Sequence, residues 1–455
     1  MDKVTPRTLS GFMELLPERQ ALFDLMVAKL RDTFSLYAFT PLDTPLIEAS
    51  DVLLAKGGGE TEKQIYRFTK GDSDLSLRFD LTVPLAKYVA LHAGQLTFPF
   101  RRYQIGKVFR GERAQRGRFR EFYQADIDVV GDGALDIINE AEIPSIIYRC
   151  FRALGLEKFV IRVNNRKVLT GLFAIFGIGE KAHAVMQVVD KLEKIGEDKV
   201  LSLMTNELLL EPSQASQILS VITCHDSGED PLLKLSAFRG RNDTFDTGLS
   251  ELETVLRLMA DFGVPASHVR LDLTIARGLD YYTGTVYETT MSGHPEIGSI
   301  CSGGRYDDLA GYYTEKKLPG VGISIGLTRL FFILENQGYL NDVLLFAPSD
   351  VLILPMTGDM GPSVALATAL RENGLRVQIY SENKKFKAKL AYADKLKIPF
   401  VVFLGEDELK NNVISVKDMT TGAQVSAPFE DALTRIKTGI ASRCNGLPIK
   451  EPNQE

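Results

Sequence analysis

Residues 100–131 read FRRYQIGKVFRGERAQRGRFREFYQADIDVVG. Two segments of this stretch, Tyr103 to Arg110 and Phe122 to Val130, are rich in aromatic and β-branched residues, a composition typical of strands. The loop between them, residues 111–120, contains two glycines and four arginines. The pattern therefore predicts an antiparallel hairpin with a strongly basic connecting loop.

This loop has the chemistry of a phosphate site. Guanidinium groups match phosphate oxygens in pairs, and glycine lets the backbone approach a ligand closely. The following strand places Gln124, Asp126 and Asp128 at alternate positions, so that they face one side of a sheet. An isolated arginine cluster is about as often a solvated loop as it is a phosphate site. Here, however, cations and acceptors would share one surface, and we expect a polyphosphate site beside a site for a polar organic group.

The stretch resembles motif 2 of class II aminoacyl-tRNA synthetases, in the form found in histidyl-tRNA synthetases. The matching residues are Phe109-Arg110 and the run GRFREFYQ at 117–124. Ala114 stands where that family usually has proline, which removes no functional group from the loop.

Length and composition are compatible with this resemblance. A chain of 455 residues, 45% hydrophobic and 25% charged, should form several globular domains. The net charge of −6 argues against broad non-specific binding of nucleic acid and leaves room for a local basic face. The four cysteines are widely scattered, so that neither a zinc site nor a disulfide framework is predicted. With no stretch of membrane-spanning length, we expect a cytoplasmic protein that does not bind membranes.

Three further stretches resemble the same family. Residues 75–84, LSLRFDLTVP, predict a strand running into a helix. On its own, Asp80 reads as a helix N-cap; in the family, the equivalents of Asp80 and Thr82 bind the amino group of histidine. Residues 276–288, ARGLDYYTGTVYE, resemble the peptide most diagnostic of histidyl-tRNA synthetases, for which a buried polar hairpin is the alternative. Residues 320–330, GVGISIGLTRL, resemble motif 3, a strand whose small residues accept a flat ligand, followed by a helix.

The first helix predicts an oligomer interface by resemblance. Apolar residues at helical spacing run to Phe34 after a helix start at Pro17, and a strand-like segment, residues 39–47, follows. The pair resembles motif 1, which forms the dimer interface in the family. We therefore expect a homodimer through the region of Pro45, although an ordinary helix–strand unit in a monomer would show the same pattern.

The predicted fold has an α+β catalytic domain, built on the antiparallel sheet of class II synthetases flanked by helices. Residues 1–166 and 263–340 form its two parts. A helical insertion occupies 167–262, an α/β anticodon-binding domain occupies 348–440, and 441–455 form a flexible tail. Strand and helix patterns alternate after residue 351. The lysines at 384, 385, 387 and 389 offer either a positive face for RNA or a plain solvated surface.

The resemblance implies ATP-dependent ligation of L-histidine to tRNA-His through histidyl-adenylate, with Mg²⁺ accompanying ATP. It implies that Arg110 and Arg277 are catalytic, contacting the α-phosphate and, for Arg277, also the carboxylate of histidine. The implied ATP-binding residues are Arg110, Glu112, Arg118, Phe122 and Arg329. The implied histidine-binding residues are Asp80, Thr82, Gln124, Asp128, Arg277, Tyr281 and Tyr282, whereas no metal ligand is predicted. A catalytically inactive paralogue and a binding-only RNA module are the rival interpretations.

Overall fold

The computed structural model describes residues 3–55, 60–113, 117–224, 228, 230–275, 282–294, 297–340 and 347–442. The described residues divide into two compact units, one formed by those within 3–14 and 26–339 and the other by 15–25, 340 and 347–442. Among the described helices, none combines the length and apolar character that crossing a bilayer requires.

The first unit is organised around an eight-stranded sheet with the strand order β1-β5-β6-β11-β10-β9-β7-β8. Its six central strands, from β5 to β7 in that order, pair antiparallel, and the short edge strands β1 and β8 pair parallel. A separate antiparallel sheet has the order β2-β4-β3. The strands are β1 (Thr40–Pro41), β2 (Ile47–Ala49), β3 (Arg67–Lys70), β4 (Ser73–Leu77), β5 (Phe100–Phe109), β6 (Glu121–Val130), β7 (Phe159–Asn165), β8 (Val269–Leu271), β9 (Thr285–Met291), β10 (Ser299–Tyr306) and β11 (Gly320–Gly326).

The predicted hairpin of residues 100–131 is confirmed as the pair β5 and β6, with Arg102 opposite Asp128 and Gly106 opposite Gln124. Strand β5 begins at Phe100, three residues earlier than the sequence pattern indicates. The early start places Arg102 inside the sheet, where its side chain is fully buried.

The described helices before residue 340 include those of the predicted helical region. They are α1 (Pro17–Leu36), α2 (Ser50–Leu53), α3 (Glu60–Gln64), α4 (Thr82–His92), α5 (Ile138–Ala153), α6 (Arg166–Ile175), α7 (Ala182–Val189), α8 (Leu192–Ile195), α9 (Glu197–Asn206), α10 (Pro212–Ile222), α11 (Pro231–Ser236), α12 (Asp243–Asp261) and α13 (Leu327–Asn336). Helices α5, α6, α12 and α13 contact the large sheet. Helix α5 buries Ile143, Ile147 and Phe151 and contacts β10 and β11. Helix α12 packs against α5 and α6, with the backbone of Gly171 in α6 lying against Phe245.

The segment from residue 39 to residue 47 does not form the single strand that its sequence suggests. It contributes β1 to the large sheet and β2 to the small one, with a break between them. Pro41 and Pro45 explain the break, because proline has no N–H to donate to a strand partner. The predicted strand at 269–275 is likewise shorter and ends at Leu271, where the Asp272 side chain accepts a hydrogen bond from the N–H of Thr274 and forms a turn.

The second unit contains a five-stranded mixed sheet with the order β13-β12-β14-β15-β16, as the alternating pattern after residue 351 predicts. Strand β12 is buried on both faces, with Val351 and Ile353 in one core and Leu352 and Leu354 in the other. Helices on both faces require such a continuous apolar strand. Its elements are β12 (Val351–Pro355), α14 (Gly361–Glu372), β13 (Val377–Ile379), α15 (Phe386–Lys395), β14 (Phe400–Leu404), α16 (Glu406–Asn411), β15 (Ile414–Asp418), β16 (Gln424–Ala427) and α17 (Phe429–Ala441).

Candidate active site

One face of the large sheet, at β6, β10 and β11, forms the floor of a cleft with a volume of about 360 Å³. Loops from the hairpin and the first turns of α4 and α13 form its walls. Ten residues implicated by the sequence line this one cleft: Asp80, Thr82, Arg110, Glu112, Arg118, Phe122, Gln124, Asp128, Tyr282 and Arg329. Arg277 and Tyr281 lie outside the described residues.

Two guanidinium groups of the cleft lining are held in defined orientations. The guanidinium carbon of Arg110 lies 4.4 Å from the ring centre of Phe79 and 5.1 Å from that of Phe122, and its Nε donates to the carbonyl of Phe79 at 3.3 Å. Arg329 Nη2 donates to the carbonyl of Ile297. Stacking against aromatic rings restricts the orientation of Arg110, whose guanidinium fork is suited to bind an anion.

The basic loop is held against helix α13 by local contacts. Gly117 has a φ of +74°, a left-handed conformation that glycine adopts without steric cost. The ring of Phe119 packs edge-on against the ring of Phe332 in α13, with 5.5 Å between the ring centres. Arg118 is half-exposed and lies 3.5 Å from the carboxylate of Glu112, in reach of a ligand in the cleft.

Acceptor groups line the same cleft. The Asp80 carboxylate accepts a hydrogen bond at 2.9 Å from the N–H of Val83, in the first turn of helix α4, and also lines the cleft. Burial raises the pKa of Asp80, while the Val83 N–H and the charge of Arg110 oppose that rise. Helix α4 has Leu81 in its N-cap position, so that Asp80 lies one residue before the cap rather than at the cap position that its sequence suggests, although its carboxylate still binds the first turn.

Gln124 and Asp126 form a polar chain with Ser324 of the neighbouring strand. The Gln124 amide nitrogen donates to the Ser324 hydroxyl. Burial raises the pKa of Asp126 to about 7, against the charge of Arg102 and a hydrogen bond from Ser324. Among the described residues, the buried Gln124 Oε1 has no hydrogen-bond partner. A buried acceptor without a donor is costly, and an ammonium group in the cleft would satisfy it.

Asp128 is held by two residues to which the sequence analysis assigns no role. Arg102 Nη2 lies 2.7 Å from one carboxylate oxygen, and the Tyr306 hydroxyl donates to the other at 2.8 Å. Burial raises the pKa of Asp128 to about 6, and both contacts oppose that rise. The alternation of Arg102 with Gln104 and Gly106 is the one signal in the sequence that could have placed Arg102 on this face.

An antiparallel sheet that brings the arginines of a strand–loop–strand hairpin and of a following strand–helix unit into one cleft defines a class II aminoacyl-tRNA synthetase. Comparison with known proteins agrees. The family described as histidyl-tRNA synthetase matches residues 11–330, and the anticodon binding domain matches residues 350–439.

Relatives of this kind extend over almost the whole chain. The histidine–tRNA ligase of Clostridium tetani is 54% identical over 436 residues, which are 96% of this chain and 99% of the relative. A crystal structure of histidyl-tRNA synthetase from Nostoc sp. PCC 7120 superposes with a TM-score of 0.86 at 40% identity, covering 96% of this chain and 100% of that one. A protein from Bacillus halodurans, described as an ATP phosphoribosyltransferase regulatory subunit/histidyl-tRNA synthetase, shares the fold, with a TM-score of 0.70 at 20% identity and coverage of 86% and 97%. The chain belongs to the histidyl-tRNA synthetase family.

Proposed function

We propose that the cleft joins L-histidine to ATP, forming histidyl-adenylate and diphosphate, and then transfers the histidyl group to tRNA-His with release of AMP. The observation that carries the proposal is the convergence of guanidinium groups and buried acceptors on one cleft. A triphosphate bound by the guanidinium groups and a histidine bound by the acceptors would meet within it.

The first step is attack by the carboxylate of histidine on the α-phosphorus of ATP. A carboxylate is already an anion at neutral pH, so that the step needs no base to activate it. The barrier comes from repulsion between two anions and from charge that grows in the transition state. We assign the α-phosphate to Arg110 and, from the family resemblance, to Arg277, which would also hold the carboxylate.

The remaining ATP contacts are assigned by position in the cleft. Arg118 and Arg329 would hold the γ-phosphate end, and adenine would stack between the Phe122 ring and the plane of Arg329. Glu112, which lies beside Arg118, would help shape this part of the cleft.

Histidine would bind the acceptor groups of the cleft. We assign its amino group to Asp80, Thr82 and the unpartnered oxygen of Gln124. Its imidazole would bind Asp128 and Tyr282, with Tyr281 close by in the family pattern. An amino acid without an imidazole would leave these buried groups unpaired, which discriminates more strongly than the size of a pocket.

Mg²⁺ would enter with the nucleotide. Across the described part of the chain, no three histidine, cysteine or acidic side chains converge as a metal site would require. Mg²⁺ usually keeps several waters and binds substrate phosphates together with one or two carboxylates. The residues of the cleft fit this mode: Glu112 would be the carboxylate beside the proposed triphosphate site, and the ion would screen the phosphate charge.

The second unit would contact tRNA, because it matches the anticodon binding domain. The lysines at 384, 385 and 387 are exposed beside Phe386, whose side chain is 45% exposed. Basic side chains with an exposed aromatic residue suit the backbone and bases of single-stranded RNA. Charge reversal at Lys385 should weaken tRNA binding and leave adenylate formation unchanged.

The functional assembly would be a cytoplasmic homodimer formed through the motif 1 region. Leu46 and Ile47, next to Pro45, are large apolar side chains that are 44% and 47% exposed, as an interface of this kind requires. Sedimentation of wild type and Leu46→Asp tests this assembly, and a wild-type monomer would contradict it.

Histidine-dependent exchange between ATP and pyrophosphate tests the catalytic proposal. Arg110→Ala should lower the exchange rate by about 10²–10³-fold, the loss expected for one preorganised electrostatic donor. Arg257→Ala is the matched control, because Arg257 is an exposed arginine that pairs with Asp261 on helix α12. Equal exchange with another amino acid, or no exchange with histidine, would contradict the proposal and favour an inactive paralogue or an RNA-binding module.

A further inference from the structure

Arg102 contacts two parts of the cleft lining, Asp128 on strand β6 and the backbone between Asp80 and Thr82. Its side chain is fully buried. One nitrogen, Nη2, lies 2.7 Å from the carboxylate of Asp128 on β6. The same nitrogen donates to the carbonyl of Leu81 at 3.3 Å, and Leu81 lies between Asp80 and Thr82. A single guanidinium therefore connects the proposed imidazole contact with the proposed amino-group contacts.

These contacts of Arg102 contribute little to the stability of the protein. Nε and Nη1 of Arg102 are buried and have no hydrogen-bond partner among the described residues. A buried ion pair whose donors are only partly used stabilises a protein little, and apolar residues of similar volume often do better. This cost argues that the guanidinium serves the site rather than the sheet.

The groups around Asp128 explain why a cation is needed there. Arg102 on β5 and the Tyr306 hydroxyl on β10 face the carboxylate, and the acids Asp80 and Asp126 act on the same buried region. Burial and the nearby acids favour the protonated form of Asp128, and Arg102 is the only positive charge in direct contact with it among the described residues. Protonation would change the number of acceptor positions that Asp128 offers to an imidazole N–H.

We propose that Arg102 is a positioning residue for histidine selection, which keeps Asp128 ionised and oriented and holds the Leu81 carbonyl so that the two subsites keep a set distance. The inference rests on the proposed function. Arg102 lines no part of the cleft among the described residues, so its effect on histidine would pass through Asp128 and Leu81.

Steady-state exchange kinetics with Arg102→Met and Arg102→Lys test the inference. For both variants, the KM for histidine should rise at least about tenfold near neutral pH, while the KM for ATP changes by less than about twofold. In Arg102→Met, the apparent pKa that governs kcat/KM for histidine should move upward by at least about one unit, with partial recovery toward pH 9. Arg102→Lys should show a smaller shift of this apparent pKa, because lysine keeps the positive charge but lacks the paired nitrogens of the guanidinium group.

Arg101 offers matched controls, since it is the neighbouring residue on the same strand and forms an ion pair with Glu142 at 2.6 Å. Arg101→Met and Arg101→Lys should leave the KM for histidine and its pH profile unchanged. Folding of every variant is checked by thermal unfolding.

Each outcome decides the question. An unchanged KM for histidine in the Arg102 variants would overturn the inference. So would an equal rise in the KM for histidine and the KM for ATP with no shift in the apparent pKa. If Arg102→Met does not fold, the KM for histidine of Arg102→Lys tests the inference. If neither folds while the Arg101 variants do, Arg102 is a structural residue and the inference fails. Wild-type protein without histidine-dependent exchange would refute the proposed function instead.

Discussion

Gly322 provides a steric test of the histidine subsite. It lies on β11 opposite Asp128, and a Cβ atom at this position would be 2.2 Å from Asp128 Oδ1 and 2.5 Å from the carbonyl oxygen of Ile127. Such distances are far below van der Waals contact, so that Gly322→Ala must displace the carboxylate or the strand by about 1 Å. A misplacement of about 1 Å can cost about 100-fold in rate, or about 2.7 kcal/mol.

We therefore expect Gly322→Ala to lower kcat/KM for histidine by about 100-fold in the pyrophosphate exchange assay. Gly326→Ala, on the same strand, is the comparison, because its Cβ would meet only Arg329 Cβ at 3.8 Å, an ordinary contact. Its kcat/KM for histidine should stay within a few-fold of wild type. Wild-type kinetics in a folded Gly322→Ala protein would refute the assignment of Asp128 to the histidine subsite.

Two further predictions concern stability. Because burial raises the pKa of Asp126 to about 7, the folded state holds this proton more tightly than the unfolded state does, and the free energy of unfolding should decrease as pH rises from about 4 to about 7. Asp126→Asn should flatten that part of the profile in urea titrations, and parallel profiles for the two proteins would count against a raised pKa. Gly171→Ala places a Cβ 2.4 Å from the Phe245 amide nitrogen and should destabilise the packing of α6 on α12 by about 1–3 kcal/mol with no change in the KM for histidine. Gly179→Ala, whose nearest neighbours would be 3.5 Å away, should have a much smaller effect on the melting temperature, and equal losses would contradict the packing argument.

The sequence was a good guide to elements with a strong local pattern. The hairpin of residues 100–131, the strand–helix unit at 320–330 and the alternating strands and helices after residue 351 all occur as predicted. Apolar alternation and helical periodicity are local properties, so that a short window is sufficient to detect them. Prediction was poorer at the segment 39–47, where two prolines divide one apparent strand between two sheets.

The sequence by itself determined the chemical inventory of this protein: arginines in three separate motifs, acids and an amide at alternate strand positions, and small residues on one strand. The tertiary structure decided which of them share a cleft and which other residues contact its lining. Arg102 and Tyr306 are separated by about 200 residues, yet both contact the same carboxylate because β5, β6, β11 and β10 are adjacent in the sheet. Strand order is set by packing between distant parts of the chain, and no local pattern encodes it.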